Sequence, residues 1–198
     1  MNLIEKAEAF AQIKHKGQKR RFEKKPYFVH PQRVAHILKQ FKVSTRIEEL
    51  VCAAYLHDTL EDTDTTYKEI ATEFNPFIAK LVLELTSDES GVASLGKSKY
   101  LLNKMVSMSN YALVLKLADR MDNVNRIHWT SEKFKNKYIA ETKFIIDGLK
   151  KERALTGTHK KMIREIERHL NENEATDDID YLSFDSYHKR GVFGEAII

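Results

Sequence analysis

The chain is predicted to fold as a single all-α domain, and three observations predict it. Glycine and proline are scarce, at 7 and 3 of 198 residues. Charged residues fill 31% of positions, which suits the solvent faces of helices more than paired strands. Apolar residues recur at spacings of three and four along nearly the whole chain, the period of an amphipathic helix. A chain of 198 residues is long enough to bury one sizeable core.

The elements follow in order. Leu3, Ala7, Phe10 and Ala11 keep a helical period before Gly17. Pro31 suits the first turn of a helix whose buried stripe is Val34, Ile37, Leu38 and Phe41. Ile47, Leu50, Val51 and Ala54 carry a third helix into His57. Thr66 with Glu69 forms a capping box ahead of Ile70 and Phe74. Asn75-Pro76 opens another helix with Ile78, Leu81, Val82 and Leu85 inward. Ser87 to Gly96 reads as a loop, and Lys97 to Met108 as a helix. A further helix runs from about Ala112 to Trp129, although Tyr111 to Lys116 has strand propensity as well. Ser131 caps a helix to Gly148, and Thr158 one to Leu170. No repeat or Pro-rich linker divides the chain, so residues 1–170 are expected to form the domain and 171–198 a tail of open order.

Composition removes several function classes. Cys52 is the single cysteine, so no disulfide forms within the chain, and its apolar surroundings mark it as a small buried residue. The opening MNLIEKAEAF lacks the apolar core of a signal peptide, and no apolar run approaches membrane-spanning length. A cytoplasmic setting without a membrane partner is the expectation. Net charge is +4 but unevenly spread. Lys14, Lys16, Lys19, Arg20, Arg21, Lys24 and Lys25 crowd one run, while acidic residues dominate Glu172 to Asp185. The basic run reads either as a solvated loop or as an anion clamp.

The chemistry concentrates in AAYLHDTLEDTDTT. His57 and Asp58 offer a nitrogen and a carboxylate oxygen, ligand types that divalent transition metals accept. On a continuous helix Glu61 shares their face and Asp62 lies above Asp58. Stacking ionisable groups among Ala53, Ala54 and Leu56 is costly unless a metal or substrate needs them. Two residues do not complete a metal site. His30, at a helix start stiffened by Pro26 and Tyr27, and Asp119, within apolar VLKLADRMDNV, are the candidates that stand out elsewhere.

Four blocks then occur in a telling order: His15-Lys-Gly-Gln-Lys-Arg20, Pro26-Tyr-Phe-Val-His30-Pro-Gln-Arg-Val-Ala35, Leu56-His-Asp-Thr-Leu-Glu-Asp-Thr63 and Lys116-Leu-Ala-Asp-Arg-Met-Asp-Asn123. With these blocks the chain resembles the HD-superfamily hydrolase domain of RelA/SpoT-type proteins, and specifically the stand-alone small alarmone hydrolases of the metazoan SpoT-homologue kind. The resemblance covers roughly residues 3 to 170 and implies a multi-helix HD-domain bundle. It also implies one Mn²⁺ per chain on His30, His57, Asp58 and Asp119, with iron or zinc as other occupants. Glu61 and Asp62 match a pair that activates or orients the attacking water. Asn123 matches a contact to the nucleotide sugar, and Arg20 and Arg21 a basic pair on the base and phosphates. Tyr138 and one of Lys97 or Lys99 match phosphate contacts.

The chain also departs from the family pattern. The stretch between Gln18 and Pro26 is one residue longer than in two-domain enzymes, and Phe22-Glu23-Lys24-Lys25 replaces the usual glycine before Pro-Tyr. Which of Arg20 and Arg21 reaches the base stays open. Asp122 stands where relatives often carry an aromatic residue or histidine, and is expected to alter the pocket wall.

The implied function is manganese-dependent removal of the 3′-pyrophosphate from guanosine tetra- and pentaphosphate, leaving GDP or GTP. The length leaves no room for a synthetase. Other readings are hydrolysis of adenosine alarmones (ppApp, pppApp), removal of the 2′-phosphate of NADPH, and an alarmone-binding module without turnover. A nucleic-acid partner ranks last, since the carboxylate cluster repels phosphodiester backbones. A homo-oligomer is left open.

Overall fold

The computed structural model describes residues 1–175. The expected tail from residue 171 begins inside the last helix, and its remainder lies outside the described residues. The described residues form α1 (Leu3–Lys14), α2 (Val29–Phe41), α3 (Ile47–Leu56), α4 (Thr59–Asp62), α5 (Tyr67–Glu73) and α6 (Pro76–Leu85). They continue with α7 (Glu89–Leu95), α8 (Lys97–Ser107), α9 (Asn110–Asn125), a 3-10 turn at Ile127–Trp129, α10 (Glu132–Glu152) and α11 (Gly157–Ala175). Among the described residues no strand forms; Lys19 and Pro26 make an isolated antiparallel bridge. The fold is all-α, as expected, and no described helix is long and apolar enough to cross a membrane.

The core is organised around α3. Every residue from Leu50 to Leu56 is buried, Cys52 included, so this helix is covered on all sides rather than along one stripe. It packs against α1, α2 and α6, while α2 and α11 pack on α9. The segment Tyr111 to Lys116, ambiguous by propensity, is helical because α9 buries Ala112, Leu113, Leu115 and Leu117 on more than one side.

Several local signals behave as read. Thr66 Oγ1 accepts from Glu69 N while the Glu69 carboxylate accepts from Thr66 N. Asn75 Oδ1 accepts from Ile78 N, with Pro76 following at the first helical position. Removing the first cap is a direct check: Thr66→Ala is expected to cost about 1 kcal/mol in denaturant unfolding, and an unchanged midpoint would deny the cap its role.

Three expectations need correction. Ser87 to Gly96 is not a loop throughout: Asp88 accepts from Ser90 N and Gly91 N and so starts α7. The last helix starts on Thr156, whose Oγ1 accepts from His159 N, rather than on Thr158. The helix through the His-Asp pair is interrupted, since α3 ends at Leu56 and α4 begins at Thr59. Side chains cause that break: His57 Nδ1 donates to Ala54 O (2.8 Å) and Thr59 Oγ1 to Leu56 O (2.7 Å), occupying the carbonyls of the last turn of α3.

Candidate functional site

The break places His57 and Asp58 at the end of the most buried helix, facing α2 and α9. His30 enters from the first turn of α2, and Asp119 from the middle of α9. His30 Nε2 lies 3.2 Å from Asp119 Oδ1 and 3.7 Å from Asp58 Oδ2. His57 Nε2 lies 3.0 Å from Asp58 Oδ2 and 4.0 Å from Asp119 Oδ1. The ligand atoms of His30, His57 and Asp119 all fall within 4.8 Å of one another.

The hydrogen bonds define what these atoms offer. Both rings have Nδ1 engaged, His57 on Ala54 O and His30 on Asp122 Oδ2 (2.7 Å), so in the neutral rings Nε2 carries the lone pair. His57 Nε2 is buried and, beyond its ion-pair contact to Asp58 Oδ2, has no hydrogen-bond partner. Burial disfavours a charged His30, but its bonds to Asp119 and Asp122 and the charge of Asp58 outweigh this and push its pKa up to about 9. Burial would raise the Asp58 and Asp119 carboxyls, yet both are held well down, Asp58 by the His57 and His30 charges and Asp119 by Lys116 and His30. The imidazole nitrogens of His30 and His57 and the Asp119 carboxylate, with Asp58 Oδ2 beside both rings, make a donor set that fits a divalent transition metal.

Further residues were not singled out in the sequence. Lys116 Nζ pairs with Asp119 Oδ2 at 2.9 Å. The Tyr27 hydroxyl donates to Asp58 Oδ2 at 2.6 Å, and burial together with Asp58 pushes its pKa upward. His15 packs against Tyr27 with ring centroids 4.7 Å apart and bonds Gln18, whose Nε2 donates to Asp62 O. These residues sit inside the quoted motifs, but only the tertiary contacts reveal their partners.

Glu61 and Asp62 separate in the structure. The Glu61 carboxylate accepts from Ser87 N at 2.8 Å. Asp62 N donates to Asp58 O at 2.8 Å, one helical turn along, and burial with the Asp58 and Glu61 charges raises its carboxyl pKa.

Beside the cluster opens a cleft of about 290 Å³, lined by Lys19, Arg20, Arg21, Phe22, Tyr27, Asn123, Arg126, Phe134 and Tyr138 among others. Asn123 joins cleft to cluster: its Nδ2 donates to Asp119 Oδ1 and its Oδ1 accepts from Arg20 Nη2, both at 2.7 Å. Arg21 lies instead over the Phe22 ring, 5.2 Å from its centroid. Phe22 and Phe134 pack at 5.0 Å and Phe134 and Tyr138 at 5.9 Å, making an aromatic wall. Arg126, on the short turn after α9, lines the cleft with Nε buried and unpartnered. Lys14, from the same basic run, is committed elsewhere, to Asp64 and Glu69.

On α8, Lys97 and Lys99 are exposed and outside the cleft lining. Lys104 is the lysine of that helix turned inward: its Nζ donates to Thr86 O, and burial and the neighbouring Lys116 lower its pKa. Asp122 is not on the cleft wall. It is buried behind His30, a correction that follows from its position one turn along α9 toward α2.

The chain was also compared with known proteins. Residues 7–146 match the HD domain family. A guanosine-3′,5′-bis(diphosphate) 3′-pyrophosphohydrolase of Aquifex aeolicus is 40% identical over 150 residues, covering 70% of this chain and 19% of that protein. The chain thus spans about a fifth of the length of that relative. The Danio rerio guanosine-3′,5′-bis(diphosphate) 3′-pyrophosphohydrolase MESH1 is 31% identical over 148 residues, 71% of this chain and 81% of its own length. A solved structure described as a metazoan orthologue of SpoT that hydrolyses ppGpp superposes with a TM-score of 0.73 at 23% identity, over 87% of this chain and 96% of that one. By the extent of the family match and its similarity to MESH1 over most of that protein, this chain belongs to the HD domain family.

Proposed function

We propose that the chain is a metal-dependent hydrolase that removes the 3′-pyrophosphate from guanosine tetra- and pentaphosphate, giving GDP or GTP and pyrophosphate. The observation that carries the proposal is the shared Asn123. It ties a cationic, aromatic-walled cleft to a cluster with the donor set of a transition-metal site. The activity named for the Aquifex and zebrafish relatives supports the choice of substrate. The proposal is of hydrolysis alone, by soluble protein in the cytoplasm, where the lone thiol of Cys52 stays reduced.

His30, His57, Asp58 and Asp119 would hold the ion, with Mn²⁺ proposed. When bound, it supplies Lewis acidity toward water and the phosphoryl oxygens. Asp62, supported by Glu61, takes the proton of the attacking water. Tyr27 keeps Asp58 oriented through its hydroxyl. Asn123 orients the sugar at the mouth of the cluster. Arg20 and Arg21 with Phe22, Phe134 and Tyr138 grip the base, and Lys19 and Arg126 offset phosphate charge, which dominates phosphoryl transfer.

Two measurements check these roles. Protein stripped with a chelator is expected to be inert toward guanosine tetraphosphate and to recover with Mn²⁺; full turnover without metal would end the proposal. Arg126→Ala is expected to raise KM about tenfold or more with little change in kcat, the loss of a charge-assisted contact to substrate. An unaltered KM would remove Arg126 from substrate binding.

A further inference from the structure

Asp122 and the loop bearing Glu23 are where the chain departs from the family pattern, and the structure joins the two. Asp122 Oδ2 accepts from His30 Nδ1 at 2.7 Å. Arg33 grips the same carboxylate with Nε on Oδ1 at 2.7 Å and Nη2 on Oδ2 at 3.1 Å. The far side of that guanidinium forks onto Glu23, at 2.9 and 3.1 Å. Glu23 Oε1 also lies 3.6 Å from Arg20 Nε. Since Arg20 bonds Asn123, Asn123 bonds Asp119, and Asp119 pairs with His30 Nε2, the contacts close a ring. Two of the proposed metal ligands are thereby linked through the cleft loop.

The side chains of Asp122 and Glu23 are 3% and 7% exposed. Burying two carboxylates is costly unless each is fully partnered. An ordinary bridge between α2 and α9 needs neither the imidazole contact nor the loop. A carboxylate on Nδ1 of a ligating histidine fixes its tautomer and ring angle and strengthens Nε2 as a donor. We propose that Asp122 is a positioning residue for His30 in the metal site, and that Glu23, acting through Arg33, makes the cleft loop part of the same unit. This rests on the metal-site reading above.

The test titrates Mn²⁺ into metal-free wild type, Asp122→Asn, Arg33→Gln, Glu23→Gln and the double Arg33→Gln/Asp122→Asn, with folding checked by circular dichroism and melting. Asp122→Asn keeps the shape of the side chain and is expected to weaken Mn²⁺ binding by about 10–100-fold. Arg33→Gln and Glu23→Gln are expected to weaken it less, and the double variant no more than Asp122→Asn alone, because the residues act in series. In Zn²⁺-loaded protein the His30 Nδ1 proton resonance is expected far downfield, moving upfield in Asp122→Asn. Folded variants with wild-type Mn²⁺ affinity and an unmoved resonance would overturn the inference while leaving the metal site standing. A folded wild type that binds no metal would instead overturn the metal-site reading beneath it.

Discussion

His57→Ala is expected to abolish both Mn²⁺ binding and hydrolysis while leaving the helical fold intact. His57 supplies a buried Nε2, 3.0 Å from Asp58 Oδ2 and 4.0 Å from Asp119 Oδ1. Asp58→Ala is expected to do the same, and it also strips the Tyr27 hydroxyl of its acceptor. Asp58→Asn separates these losses, because its amide oxygen still accepts from Tyr27 while the charge is gone. Calorimetric titration reads the metal and anion-exchange chromatography reads turnover. A folded His57→Ala protein that still bound Mn²⁺ with wild-type affinity would show that the ion sits elsewhere.

Asp62→Asn is the second large effect. Metal binding is expected to persist, with kcat falling about 10²–10⁴-fold, the usual worth of a positioned general base. Glu61→Gln is expected to cost less. The two residues read alike in sequence, but the Glu61 carboxylate is taken by Ser87 N, whereas Asp62 sits one turn above Asp58 with its carbonyl pinned by Gln18. Near-wild-type kcat in Asp62→Asn would strike it from the mechanism.

Much of this architecture was legible because local rules and tertiary packing agree. The Thr66 capping box and the Asn75-Pro76 start are short-range devices that the sequence writes out in full. The Tyr111 to Lys116 ambiguity was resolved only by burial, since α9 is covered on more than one side and its apolar residues do not form a single stripe. The helix break at His57 was missed because two side chains, on His57 and Thr59, compete for carbonyls that a periodicity argument assigns to the backbone. Within the candidate site, His30, His57, Asp58 and Asp119 were recognisable as motif residues, and the structure brings their imidazole nitrogens and carboxylate oxygens within 3.0–4.0 Å of one another in pairs. The links that orient them, Tyr27 to Asp58 and Asp122 to His30, span 31 and 92 residues and leave no local signature. Arg126 belongs to no quoted motif; its place in the cleft depends on the short turn that follows α9.

The decisive measurement is product analysis after incubating the purified protein with Mn²⁺ and guanosine tetraphosphate. GDP and pyrophosphate in equal amounts are the expected products, from a single cleavage at the 3′ position. Intact guanosine tetraphosphate, with Mn²⁺ confirmed bound to folded protein, would contradict the proposed activity.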